Sequence, residues 1–185
     1  MKRGFTLLEL LIVIGILAIL AATTVLVLNP AELLKQARDS QRVSDLATLN
    51  SALGMYVTDV SSPDLGTSAN CDVYNDGTNE IIANCGGRHV GTTVSSTLRT
   101  VDNTGWLPVP FSGISGGSPL PVLPIDPSHN STYFYSYACN TGSTTYELNT
   151  VFESAKYMTD LDLDGKDGGN KPAVYEIGTD PGLDL

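Results

Sequence analysis

The chain has 185 residues, a formal net charge of -10 and a sequence pI of about 4.4. This acidity argues against non-specific binding of nucleic acid, which needs many cationic contacts to phosphate, so nucleic acid is not an expected partner. Three cysteines are too few for a disulfide scaffold, and their odd number leaves at least one unpaired within the chain.

The first thirty residues contain one dense apolar block. From Phe5 to Leu28 there are 24 residues with a single charged side chain, Glu9. As an α-helix, this segment would be about 36 Å long and would cross a hydrocarbon core of about 30 Å. Lys2 and Arg3 precede it, which predicts that the start stays in the cytoplasm while the rest is exported. The alternative is an ordinary signal peptide, but the apolar run is too long and no small-residue cleavage site follows it.

Glu9 needs a partner, because a carboxylate inside a membrane helix costs at least about 2.5 kcal/mol. No cation lies within one helical turn except in the basic start. If the chain were cut after Gly4, Phe5 would gain a free ammonium group. That ammonium could neutralise Glu9 of a neighbouring copy, where burial makes one good partner decisive.

The segment Gly4-Phe5-Thr6-Leu7-Leu8-Glu9, followed by the apolar run, resembles the prepilin cleavage and methylation motif of type IV pilins and type II secretion pseudopilins. The resemblance implies that a prepilin peptidase and methyltransferase removes residues 1–4 and N-methylates Phe5. It also implies that Phe5 and Glu9 serve filament assembly. The chain would begin as a single-pass inner-membrane precursor. A pilus or secretion assembly platform would then build it, through its N-terminal helix, into an extracellular homopolymer.

A break in the helix is predicted near residue 29. Asn29 is a good N-cap, Pro30 suits a first helical position, and Glu32 stands where a capping box has its acid. The alternative is a proline kink within one continuous helix.

After Pro30 the sequence becomes amphipathic up to about residue 60, because apolar residues recur at three- and four-residue steps. These residues are Leu46, Leu49, Leu53, Tyr56, Val57 and Val60. We expect this stripe to dock on a small sheet. The charged residues that we assign to the other helix faces are Lys35, Arg38, Asp39, Arg42 and Asp45.

Residues 64–104 show no regular pattern, but Cys71 and Cys85 flank a turn-rich loop at 74–79. An exported chain meets a compartment that can oxidise thiols. We favour a Cys71–Cys85 disulfide, which would stabilise the fold by about 3 kcal/mol in the chain-entropy treatment. Pairing of Cys139 with either residue, or no bond, remains open.

Two later segments, 133–139 and 144–152, are rich in aromatic and β-branched residues around a glycine-containing loop, which predicts a β-hairpin. The prolines of 120–127 exclude a central strand there. The motif order over residues 107–180 resembles the second half of major pseudopilins and implies three or four antiparallel strands packed on the helix. The expected fold is therefore α+β, with a leader (1–4), a transmembrane helix (5–28), an amphipathic half-helix (29–60) and a β-rich head (61–185).

The only dense acidic cluster is the segment 160–169. Oxygen ligands at alternate positions, followed by a glycine, are typical of loops that bind Ca²⁺. The bidentate glutamate of an EF-hand is missing here. Pseudopilins that resemble this chain have calcium in their C-terminal loops, which implies a Ca²⁺ site. The candidate ligands are Asp160, Asp162, Asp164 and Asp167. The alternative is a solvated acidic loop.

Other motifs receive simpler interpretations. His89 and His129 lack catalytic neighbours in sequence, so we expect both on the surface. Asn130-Ser131-Thr132 matches a glycosylation acceptor or a plain turn. Four aromatic residues could bind the face of a sugar or a DNA base, but packing in the core and on the sheet is their expected role. These residues are Trp106, Tyr133, Tyr135 and Tyr137.

The leading functional interpretation is a structural subunit of a type IV pilus-like filament. The alternatives are the major pseudopilin of a type II secretion system and a minor pilin acting as an adhesin or uptake module. An enzyme is not expected, because no nucleophile–base pair, metal-ligand set or phosphate loop stands out.

Overall fold

The computed structural model describes residues 4–68, 70–77 and 83–185. The chain forms two compact units, Met1–Lys35 and Gln36–Leu185. Lys2 and Arg3, on which the predicted membrane orientation depends, lie outside the described residues.

The first unit contains helix α1, Leu7–Leu28, whose leucine, isoleucine and alanine residues fill a segment without an internal proline. Its described large apolar side chains are exposed around the whole helix. By length and composition, one stretch within Leu7–Asp59 is the single candidate membrane span among the described residues.

The predicted break near residue 29 is present. α1 ends at Asn29, which has a left-handed backbone with φ 38° and serves as its C-cap. Helix α2, Pro30–Asp59, follows directly, and the Asn29 carbonyl accepts hydrogen bonds from the amides of Glu32 and Leu33 at 3.0 and 3.3 Å. Proline at the first position of α2 needs no amide donor, so it starts the helix without loss.

In the second unit, α2 buries the predicted stripe. Leu46, Leu49, Leu53 and Tyr56 are at most 2% exposed, and further along the helix Val57 and Val60 are partly buried. The assignment of charged residues to the other faces is wrong for Asp39 and Arg42, which are completely buried. Their burial is possible because they pair with each other and with distant polar groups.

The sheet has five strands in the order β2-β1-β3-β4-β5. The strands are β1 Asn70–Tyr74, β2 Thr92–Ser96, β3 Ser136–Asn140, β4 Thr145–Thr150 and β5 Tyr175–Gly178. All neighbouring pairs are antiparallel except β1 and β2, which are parallel. A short helix α3, Ala83–Gly87, a 3₁₀ turn, Phe111–Gly113, and a π-helical turn, Lys156–Asp160, complete the elements. The architecture is α+β, consistent with that of a type IV pilin.

The predicted hairpin is confirmed as β3 and β4, and residues 120–127 form no strand. The prediction that residues 64–104 are irregular is wrong, since β1, α3 and β2 lie there. The sheet accordingly exceeds the expected three or four antiparallel strands.

The front face of the sheet packs against the apolar stripe of α2. Tyr137, Tyr146 and Leu148 belong to one buried cluster with Trp106 and the α2 leucines, so the predicted packing role of the aromatic residues is confirmed for the buried ones. The residues that alternate with these on β3, β4 and β5 face the other side of the sheet. Four of them are polar, yet almost completely buried: Ser136, Glu147, Asn149 and Glu176.

Candidate functional site

The start of α1 is closed by a reciprocal pair of hydrogen bonds between Thr6 and Glu9. The Thr6 Oγ1 accepts the Glu9 amide at 3.2 Å, while the Glu9 Oε2 accepts the Thr6 amide at 2.9 Å and the Thr6 hydroxyl at 2.8 Å. This is a capping box, in which residues three apart satisfy two amide donors at the helix start. The Thr-x-x-Glu spacing of Thr6 and Glu9 is the sequence signature of such a capping box.

The box fixes where Glu9 points. Its carboxylate turns back toward the beginning of the helix and is held by Thr6, the residue after Phe5. None of these bonds uses Gly4 or any earlier residue. The arrangement therefore remains possible after a cut between Gly4 and Phe5.

The predicted disulfide is confirmed. Cys71 and Cys85 are bonded, with their Cα atoms 6.3 Å apart, and the bond links β1 to α3. Both residues are buried with Val73 and Phe134 in a small second cluster. Cys139 is a free, buried cysteine, so the alternative pairings are wrong, and burial raises the pKa of its thiol to about 11.

The four candidate calcium ligands do not converge. Asp162 pairs with Lys166 at 3.3 Å, and the carboxylate of Asp167 accepts the amides of Gly169 and Glu176 at 2.9 and 2.7 Å. Across the described ranges, no group of three or more His, Cys, Asp or Glu side chains is arranged to hold a metal ion. Binding of Ca²⁺ by Asp160, Asp162, Asp164 and Asp167 stays a prediction, which would require this loop to rearrange.

A buried ionic cluster joins α2 to two distant loops. The Arg42 guanidinium donates to both oxygens of Asp126 at 2.7 and 2.8 Å, to Asp39 at 2.7 Å and to Glu153 at 2.6 Å. Asp39 also accepts the amides of Glu153 and Ser154. All three charged residues closest to the centre, Arg42, Asp39 and Asp126, are at most 3% exposed.

The charges of this cluster support one another. Burial by itself would lower the pKa of Arg42, but the hydrogen bonds and negative charges of Asp126, Glu153 and Asp39 raise it. The pKa of Glu153 is lowered to about 2, first by its hydrogen bonds with Arg38 and then by those with Ser128 and Arg42. Sequence reasoning missed this cluster because Asp126 lies 84 residues from Arg42.

The prediction that both histidines are on the surface is wrong for His89. It is 3% exposed, and burial lowers its pKa to about 3, so it stays neutral. Its Nε2 lies 3.1 Å from the Ser136 hydroxyl and its Nδ1 3.2 Å from the Leu185 main-chain oxygen. His129 is half-buried, with its ring against that of Tyr74.

Comparison with known families places one motif on this chain. Residues 1–25 match the prokaryotic N-terminal methylation motif, which is the leader signature of type IV pilins and pseudopilins. No curated protein and no solved structure matches the chain. The motif and the apolar helix fit a membrane-anchored precursor that a prepilin peptidase processes.

Proposed function

We propose that this chain is a structural subunit of a type IV pilus-like filament, which is assembled from the inner membrane after removal of its leader. The observation that carries this proposal is the capping box of Thr6 and Glu9 at the start of an exposed apolar helix, directly after the Gly4–Phe5 junction. The methylation motif over residues 1–25 supports the same junction as the processing site.

Cleavage after Gly4 changes the charge at the helix start without removing its cap. Phe5 acquires an ammonium group, and the two donors that hold Glu9 both belong to Thr6, which the cut leaves in place. A positive group near a helix N-terminus is unfavourable on its own, because that end carries a partial positive charge. The carboxylate of Glu9 from a neighbouring subunit offsets this charge.

Assembly then buries surface that a single subunit leaves exposed. The apolar side chains of α1 face lipid in the precursor and neighbouring α1 helices in the filament. Since lipid is as apolar as a helix surface, the hydrophobic effect gives little preference between the two surroundings, and association depends on close packing and on polar contacts between helices. The pairing of Phe5 with Glu9 of another copy forms only in the filament. It therefore favours the assembled state over the dispersed precursor.

The experiment replaces Glu9 with alanine in cells that lack the wild-type subunit. We expect normal cleavage and a folded head but at least a 100-fold loss of filaments in sheared surface fractions, since removing one partner of a buried pair costs about 3 kcal/mol or more. Glu32→Ala is the matched control, because Glu32 lies beyond the apolar segment in the first turn of α2. Wild-type filament yield from Glu9→Ala would refute the pairing.

The same fractions separate the alternatives by filament length. Long filaments built from this chain support a pilus subunit. Short filaments support the major pseudopilin of a secretion system, and sparse incorporation into another filament supports a minor pilin. In each case the proposed role is structural rather than enzymatic.

A further inference from the structure

The back face of the sheet carries two buried acids on neighbouring strands. Asn149 on β4 is the register partner of Glu176 on β5, and Glu147 is that of Gly178. Register partners on antiparallel strands, and residues two apart on one strand, share a face, so Glu147, Asn149 and Glu176 lie side by side. Glu147 is 0% exposed and Glu176 is 1% exposed.

Each acid has one oxygen that is satisfied and one that is not. Glu147 Oε2 accepts the amide of Leu185 at 3.0 Å, and Glu176 Oε2 accepts the amide of Lys171 at 3.0 Å. The Oε1 atoms of both acids are buried and accept no hydrogen bond from a protein donor. The strand register places both of these unsatisfied carboxyl groups on the same face of the neighbouring strands β4 and β5. A bond between them requires that one of them carry a proton, since a carboxylate only accepts.

The charged groups around the pair decide which acid keeps its proton. The Lys171 ammonium lies 3.9 Å from Glu176 Oε1, which favours the ionised form of Glu176, while Asp167 disfavours it. His89 lies 3.7 Å from Glu147 Oε1 but is neutral, so Glu147 has no positive charge in contact. Arg88, the other buried cation on this side, donates to the carbonyls of Thr132 and Phe134.

We propose that Glu147 is protonated in the folded protein and donates its proton to a bond with Glu176, which holds edge strand β5 and the chain after it on β4. Burial is the largest cause that raises the pKa of Glu147, to about 7, and the charge of Glu176 raises it further. Loss of this proton leaves two negative charges side by side in a dry site. The edge strand then separates more easily, because it is paired on one side only.

The direction of the Glu147 pKa shift decides how the stability of β5 changes with pH. An acid whose pKa is higher in the folded state stabilises that state below its ordinary value near 4.5, and this stabilisation is lost as the pH rises through about 7. A change from about 4.5 to about 7 corresponds to a proton-linked factor on the order of 100 in the opening equilibrium. Strand β5 should therefore be held most firmly in mildly acid solution.

The test is hydrogen exchange followed by mass spectrometry on the full chain in nonionic detergent, from pH 5 to pH 8.5. After correction for the intrinsic exchange rate, peptides covering 175–185 should lose about 100-fold in protection across this range, while β3 peptides change little. Asp72 is the matched internal control, because it is also a buried acid with a pKa raised to about 7 by burial, but it lies on β1. Asp72→Asn should leave the pH dependence of 175–185 intact.

Two isosteric variants make the outcome decisive. In Glu147→Gln the amide group donates permanently to Glu176 and the titrating acid is gone, so β5 should stay protected at every pH. In Glu176→Gln the buried Glu147 still titrates but has no second charge beside it, so the pH dependence should be weaker than in the wild-type chain. Flat protection of 175–185 in the wild-type chain would overturn the proposal, as would a wild-type pH dependence in both variants. If Ca²⁺ at pH 8.5 restored the acid level of protection, a cation rather than a proton would join the acids.

Discussion

Replacing Arg42 with methionine tests whether the buried ionic cluster holds α2 to the head. Methionine keeps much of the apolar volume of arginine but removes every donor of the guanidinium. The variant leaves Asp39 and Asp126 buried, at 0% and 3% exposure, without the cation that each contacts at 2.7 Å. Breaking a buried charge pair in this way costs about 3–5 kcal/mol, because an uncompensated charge stays in the interior.

Arg38→Met is the matched control. Arg38 contacts the same Glu153 carboxylate, at 2.9 Å from its Nε, but its side chain is 33% exposed. A partly solvated pair of this kind contributes about 1 kcal/mol or less. The two variants therefore remove the same type of side chain from the same cluster, and they differ in burial and in the number of carboxylates that lose their cation.

Urea unfolding of the full chain in nonionic detergent gives both values from one signal. Trp106 is the only tryptophan, is 1% exposed, and donates from its Nε1 to the Pro124 carbonyl at 3.0 Å, so its emission reports on the core of the head. We expect Arg42→Met to lower the free energy of unfolding by at least 2 kcal/mol more than Arg38→Met. Equal losses in the two variants would refute the reasoning, since burial would then have no influence on the value of the pair.

The remaining predictions concern processing, the disulfide and the tail. N-terminal sequencing of exported protein should begin at Phe5, and a chain that retains the leader in filaments would contradict this. Replacing Cys71 and Cys85 together by alanine should lower the free energy of unfolding by about 3 kcal/mol, whereas reduction of the wild-type chain should reproduce that loss and leave the double variant unchanged. If calcium orders the tail, Ca²⁺ at about 100 times its Kd should add about 2.7 kcal/mol, Mg²⁺ should add little, and Asp162→Asn with Asp164→Asn should abolish the increment. Identical melting temperatures with Ca²⁺, Mg²⁺ and chelator would contradict calcium binding and would identify the segment 160–169 as a solvated acidic loop.

The pH dependence of the ionic cluster has the opposite sign to that of the back face. The pKa of Glu153 is lowered to about 2, so the stabilisation that it provides is complete above its ordinary value near 4.5 and is lost as the pH falls toward 2. Because the hydrogen bonds of Arg38 are the largest cause, Arg38→Met should move this acid-side loss to higher pH. An unchanged acid limb in an unfolding titration would contradict that assignment.

Local patterns allowed the helix, the hairpin and the processing motif to be predicted. The α2 stripe repeats at the helical period, and the hairpin lies in adjacent segments joined by a short loop. Gly4, Phe5 and Glu9 are recognised from one contiguous sequence. These features depend on interactions between residues that are close in the chain. A local sequence pattern is therefore enough to predict them.

The parts that could not be predicted depend on distant partners. β1 is buried on both faces and β2 is mostly exposed, so neither shows the alternation of a half-buried strand. Arg42 lies among charged residues that are typical of a solvent-exposed helix face. Its burial also needs Asp126 and Glu153, which come from remote loops, in addition to Asp39 on the same helix. His89 was misjudged for the same reason, since its neighbours Ser136 and Leu185 come from other parts of the chain.

The bond between Cys71 and Cys85 makes the loop that it closes a suitable place for foreign sequence. Both ends of the loop are fixed covalently, so added residues change its length without changing the position of β1 or α3. Each doubling of the length of a flexible loop costs only about 0.6 kcal/mol. Gly77 is exposed, with a left-handed φ of 83°, and lies inside this closed segment. A short peptide epitope inserted after the exposed Gly77 would offer an antibody a site for detecting the chain without a change in its hydrophobic core.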